Sequence, residues 1–140
     1  VPLPGTSTSA YAGTVAAPEA VGGLGFIKTP GSGILQAATF RDYSDQGIAM
    51  YAVLSAQPFT VQVDNGAFSI VKAQLAQIIY TLKFTTFDDF VNCQLSQDLN
   101  IGLPFQASLG GLYFQGFTPG APTIAAGNVP TIQLRILPDR

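Results

Sequence analysis

The sequence predicts an all-β chain: a jelly-roll-like antiparallel β-sandwich behind an extended N-terminal arm. Three observations carry that expectation. Short apolar stretches alternate with polar residues at period two, most cleanly where Ile78, Tyr80, Leu82 and Phe84 interleave with Ile79, Thr81, Lys83 and Thr85. Asn65-Gly66 sits between two such stretches, and that dipeptide is the strongest short hairpin signal because a type I′ turn needs two residues that tolerate positive φ. Gly- and Pro-rich breaks recur at close spacing, and almost no segment carries a helical period.

Taken in order, residues 1–33 contain seven Gly and four Pro, with Glu19 and Lys28 as the only charges. Tyr11, Val15, Val21, Leu24, Phe26 and Ile27 make the segment too apolar for ordinary disorder. It is expected to be an extended arm that gains order on a surface, with residues 34–140 as the β-sandwich body. Strands are expected at Ile34–Tyr43 and Ile48–Ala56, separated by the polar break Ser44-Asp45-Gln46-Gly47.

A two-residue turn at Asn65-Gly66 pairs Val63 with Phe68, Val61 with Ile70 and Phe59 with Lys72, placing Val61, Val63, Phe68 and Ile70 on one inward face. Lys72–Ala76 either continues that strand through a bulge or forms a helical turn, before the strand at Gln77–Thr85. Thr86-Phe87-Asp88-Asp89 has capping-box spacing, so a short helix with Phe87, Phe90 and Val91 on one face is expected. The competing reading is a strand with Val91, Cys93 and Leu95 inward. Strand material follows near Leu99–Ala107 and at Leu112–Phe117. Thr118–Pro130 reads as a charge-free loop, and Thr131–Leu137 as a last strand with Ile132, Leu134 and Ile136 inward. About eight short strands with hardly any helix make a two-sheet sandwich or a closed barrel.

Composition bounds the function. At 14.6 kDa one domain is expected, with a folded surface of roughly 6,900 Å². Only 10% of the residues are charged, against about 25% in ordinary soluble domains. A surface so poor in charge suits a protein pressed against other protein. Net charge is −2 and the basic residues are scattered, which disfavours nucleic acid. The longest apolar run, Ile48–Leu54, is far too short for a membrane helix. The chain starts at Val1 without an initiator Met, consistent with removal of a Met or of a leader.

Catalytic chemistry is weakly supported. The absence of His removes the usual general base and metal ligand, and every Ser-His triad. Cys93, the single cysteine, lies in an apolar pattern and reads as a buried structural thiol. Asp42 and Asp45, with Asp64, have the oxygens for Ca²⁺, but Asp-rich turns more often cap their own backbone. Asp88–Asp89 has the composition of a glycosidase pair. Its place before an expected helix reads more simply as a dipole partner. Gly22-Gly23-Leu24-Gly25 and Gly31-Ser32-Gly33 lack the Lys or helix of a phosphate loop. No enzyme activity, metal or cofactor is expected.

An extended Gly/Pro arm followed by an all-β body from Ile34 to Leu137, ending in TIQLRILPDR, resembles the cement (decoration) proteins of short-tailed bacteriophage heads, similar to that of a Bordetella phage. The resemblance lies in length and texture over most of the chain. It implies a jelly roll on the outer surface of the virion, bridging neighbouring capsomers. It also implies the major capsid protein as partner, and a homodimer or other homo-oligomer. The expected contact residues are Pro2, Pro4, Tyr11, Val15 and Phe26 of the arm, with Pro119 and Pro122 of the Thr118–Pro130 loop. A carbohydrate-binding or adhesin-type sandwich is the alternative, with an exposed aromatic platform as its signature.

Overall fold

The computed structural model describes residues 1–4, 18–60, 63–120, 122–124 and 128–139. Among the described residues, nine strands form two antiparallel sheets that pack as a sandwich. In the first sheet the order is β1 (Glu19–Lys28), β8 (Gly111–Thr118), β3 (Met50–Ser55) and β4 (Ile78–Phe84). The second is built on β2 (Ser32–Asp42). One edge of β2 carries β9 (Thr131–Pro138); the other carries β7 (Leu103–Gln106) along its first half and β6 (Gln94–Asp98) along its second. β5 (Phe87–Asp89) closes that side as the outer neighbour of β6.

The alternation of β2 is broken once, and the break matters. A register shift between Leu35 and Ala37 inserts one residue opposite β9, so Leu35, Ala38 and Phe40 all reach the core although their spacing is not uniformly even. The partner β9 runs without a break and sets Ile136, Leu134 and Ile132 against these three. From the first sheet come Val21, Leu112, Phe114, Ala52, Leu54, Leu82 and Phe84, all buried. Phe40 and Phe84 stack across the two sheets at 5.3 Å, and Phe87 meets Phe40 edge-on at 6.3 Å. Phe114 requires Gly25 opposite it, because a Cβ there would overlap its ring.

Several expectations need correction. The boundary at residue 33 falls inside β2, and Glu19–Lys28, expected in the arm, is β1 and pairs with β8. Its strand pattern is obscured by a bulge between Val21 and Gly25, where Gly22 takes φ +73°. Residues 5–17 lie outside the described residues. At the other end, Pro2 bridges Thr131 and Val1 exchanges two hydrogen bonds with Ile132, while the Pro4 carbonyl accepts from Gly23 at 2.6 Å. The first four residues thus join β9 of one sheet to β1 of the other, with Leu3 buried between them.

The Asn65-Gly66 hairpin does not form. The turn is one residue earlier, Val63 to Gly66, closed by the Gly66 amide on the Val63 carbonyl, with only Asn65 at positive φ (63°). It docks on the outer edge of β1: Ala20 and Asn65 or Gly66 exchange backbone bonds, Glu19 bridges Ala67, and the Phe68 amide donates to Pro18. Val63 is consequently 77% exposed rather than inward, and Val61 lies outside the described residues. An Asn-Gly pair states that a turn occurs, whereas the unpaired amides of β1 decide what the turn pairs with. Around this turn, residues 56–60 and 63–77 lead over the outer face of the first sheet, where Phe68 stacks on Phe117. Val53 and Gln115, which point away from the core, are buried there, as is Phe59. Lys72–Gln77 is a 3-10 turn, the second of the two options open for it.

The short helix expected after Thr86 is a hairpin instead. β5 and β6 pair through Phe87–Ser96, Asp88–Leu95 and Asp89–Gln94, around a tip at residues 90–93. Asp89 accepts from the Val91 amide at 2.8 Å, a turn bond at the hairpin tip in place of the expected helix capping box at Thr86–Asp89. The competing inward strand fails too, since Val91 is exposed at the tip and Cys93 is only half-buried.

Because Leu3 fills the core from a segment held only by edge bonds, Leu3→Ala is expected to lower stability by about 2–5 kcal/mol. Denaturant unfolding that is unchanged by the substitution would contradict the tie between the sheets.

Candidate partner-binding surfaces

The residues expected to make contacts fall into different environments. Pro2 is exposed beside Thr131, and Pro4 is half-buried against Gly23. Phe26 is on β1 facing out, 42% exposed and packed on Tyr113 at 5.1 Å. Pro119 is half-buried, but Pro122 is buried, lining a small cavity with Phe40, Ile48, Met50, Ile124 and Pro130. Its loop is tied down: the Thr123 amide donates to Gln46 at 2.7 Å, and Thr118 Oγ1 donates to the Ala49 carbonyl at 2.7 Å. Tyr11 and Val15 lie outside the described residues.

The carboxylates serve mainly the backbone. Asp42 accepts from the amides of Ser44 (2.8 Å), Gln46 (3.2 Å) and Gly47 (3.3 Å), which closes the turn after β2. Asp64 accepts from Gly22 at 2.6 Å on the edge of β1, so it does not join Asp42 and Asp45. Among the described residues no group of three or more His, Cys, Asp or Glu is placed to hold a metal ion. Asp98 accepts from the Lys83 amide at 3.0 Å and from the Tyr80 hydroxyl at 3.3 Å. Burial and the nearby Asp98 raise the Tyr80 pKa above its ordinary value. The Val1 ammonium shifts downward, through burial and the charge of Arg41.

Sequence reasoning did not foresee the corner where β2 ends and the β5–β6 hairpin turns. Here Tyr43, Phe90, Cys93 and Leu95, with Arg41 and Gln94, line a shallow cleft of about 200 Å³. Phe90 and Val91 are 60% and 80% exposed, and Tyr43 is 40% exposed. Asp88 registers with Leu95 and Arg41 on this face, while Asp42 and Asp89, which register with Gln94, alternate to the other side of the sheet near Asp45. Asp45 adopts φ +55°, and one of its carboxylate oxygens is shielded from water without a hydrogen bond. That desolvation, then repulsion from Asp89 and Asp42, raises its pKa. A signal was present in the sequence: two large apolar residues, Phe90-Val91, directly follow two Asp in a segment whose turn chemistry (Asp89, Asn92) was legible.

No family model, curated protein or solved structure matches the chain.

The sign of the Asp45 effect follows from its direction. A carboxyl whose folded pKa is raised favours folding when protonated, so that contribution is lost as pH rises from its ordinary 3.8 through the raised value. Asp45→Asn is therefore expected to gain stability relative to the wild type as pH rises above 3.8. Unfolding curves that stay parallel across this range would show that Asp45 is unperturbed.

Proposed function

We propose that the protein is a structural virion protein that binds the outside of a phage capsid and cements neighbouring capsomers against the pressure of packaged DNA. Its partner is the major capsid protein, and it acts on the outer surface of the virion as a homodimer or other homo-oligomer. The observation that carries this reading is a surface on which large apolar side chains stand exposed with few charges. Only 14 residues of 140 are Lys, Arg, Asp or Glu, while Val63, Leu75, Phe90 and Val91 are each at least 60% exposed. Such a surface favours being covered by protein. The alternation of consecutive strands between sheets, β1 to β2, β2 to β3 and β8 to β9, supports the jelly-roll reading; the β3–β4 pairing within one sheet departs from it.

The physics of the role is simple. A rigid body attached to two adjacent subunits makes its second attachment intramolecular, so modest contacts multiply. No catalytic step enters this role. The carbohydrate-binding alternative finds its best support in the Phe26–Tyr113 pair, half-open on the outer face of the first sheet.

The direct test adds the purified protein to capsids stripped of their outer proteins. Rebinding with raised resistance to heat or osmotic shock is expected. Absence of rebinding, with unchanged capsid stability, would sink the proposal, and binding to a glycan array instead would favour the alternative.

A further inference from the structure

Among the described residues, the outer edge of β9 is covered only at its start. There Pro2 bridges Thr131, Val1 exchanges two bonds with Ile132, and the Leu3 amide donates to Pro130 at 3.2 Å. These bonds set the direction of the backbone groups that follow. Pro130 and Ile132 turn theirs to the outer edge, so alternation turns those of Leu134, Ile136 and Pro138 the same way. The odd residues turn to β2 instead. Gln133 registers with Thr39, Arg135 with Ala37 and Leu137 with Ile34, and the Asp139 amide donates to Ser32 at 3.3 Å. No described residue bonds the N–H or C=O of Leu134 or Ile136 on the outer side. Residues 133–139 thus form an open sheet edge that begins where Val1 stops, and such an edge is a template for another strand.

The make-up of this edge fits a second copy of itself. The stretch 133–139 is centred on Ile136, whose own N–H and C=O are turned outward. Two such edges laid antiparallel across a two-fold axis at Ile136 overlap over their whole length. Each Ile136 amide then donates to the other copy's Ile136 carbonyl, and each Leu134 amide to the other copy's Pro138 carbonyl. Pro138 has no N–H to donate, so the Leu134 carbonyl alone is left to water. A slide of two residues towards the start of β9 would put the other copy's Pro138 against Ile132, where Val1 already sits. It would also set Arg135 against Arg135, a like-charge pair. The side chains agree with the two-fold at Ile136. Ile132, Leu134 and Ile136 pack on the core, so Gln133, Arg135, Leu137 and Asp139 share the outer face. Across the axis Arg135 stands opposite Leu137, itself 52% exposed, with the other copy's Asp139 on the diagonal. Arg135 and Asp139 are both exposed, and the symmetry makes their pairing twice.

We infer that two copies of the chain join edge to edge through residues 133–139, continuing the second sheet across a two-fold axis at Ile136. The contact gives the homo-oligomer of the cementing role its place on the molecule. Backbone bonds supply the attachment, and the Arg135–Asp139 diagonals select the register.

The test uses the full chain without capsids, so the cementing role and this contact fail separately. Sedimentation is followed from about 5 to about 500 μM, because a single strand edge lies at the small end of specific interfaces. A dimer that grows over this range is expected. Amide hydrogen exchange locates it. The Leu134 and Ile136 amides should exchange fast in dilute protein and about tenfold or more slower in concentrated protein. Those of Gln133, Arg135 and Leu137, directed at β2, should be slow in both. Arg135→Glu should abolish the dimer, and adding Asp139→Lys should restore it, since the two charges are then exchanged. A chain that stays monomeric throughout overturns the inference. Slow exchange of Leu134 and Ile136 in dilute protein does so too, because the chain would then cover its own edge. A dimer in which both amides stay fast overturns β9 as the contact, and one indifferent to Arg135→Glu overturns the register.

Discussion

Every strand edge in a sandwich presents N–H and C=O groups that must be paired, covered or blocked, and the architecture of this chain follows from how its edges are closed. Irregular segments do most of that work. The 63–67 turn and Pro4 supply the outer edge of β1 with partners, and the Phe68 amide donates to Pro18 just before that strand. Val1 and Pro2 cover the start of β9. Ile132 directs its backbone groups outward to Val1, so alternation turns Pro138 the same way, where its missing N–H costs nothing. Asp98 replaces a strand for β4 by accepting from Lys83. Two further edges are short: β5 has three residues and carries two Asp, and β7 has four and carries Pro104.

This closure explains why segments that look like tails or linkers belong to the body. Leu3 is buried only because Val1–Leu3 is held to β9 and Pro4 to β1. The 56–77 connection packs Phe68 on Phe117 at 4.2 Å, and Phe117 stacks on Tyr51 at 5.2 Å, which covers the outer face of the first sheet. With one sheet face and most edges covered, the exposed apolar groups that remain stand out. The most exposed of them is Val91, at a tip anchored through β6 to the central strand β2.

Legibility from sequence tracked the range of the interactions concerned. Ile78–Phe84 and Thr131–Pro138 are regular strands whose period two shows directly, and both lie within two residues of expectation. β1 was hidden because the glycines of its bulge look like a linker, and its strand character depends on β8, some ninety residues away. The Asn65-Gly66 turn was legible as a turn, but its partner, the β1 edge, was not, because that pairing spans more than forty positions. At Phe87–Leu95 neither the expected helix nor the expected single strand forms, because an Asp that accepts from a following backbone amide serves a hairpin tip as readily as a helix start. The candidate corner was the least legible feature. A Val at positive φ contradicts local preference, and Asp42 and Asp45 meet Asp89 only once β2 and the hairpin are side by side.

A poorly charged sandwich with large apolar side chains left exposed fits the proposed attachment to a protein shell. An image reconstruction of the native virion tests that claim most directly. Density of this size over capsomer boundaries on the outer surface is the expected result. A shell whose outer surface carries no such density would contradict it.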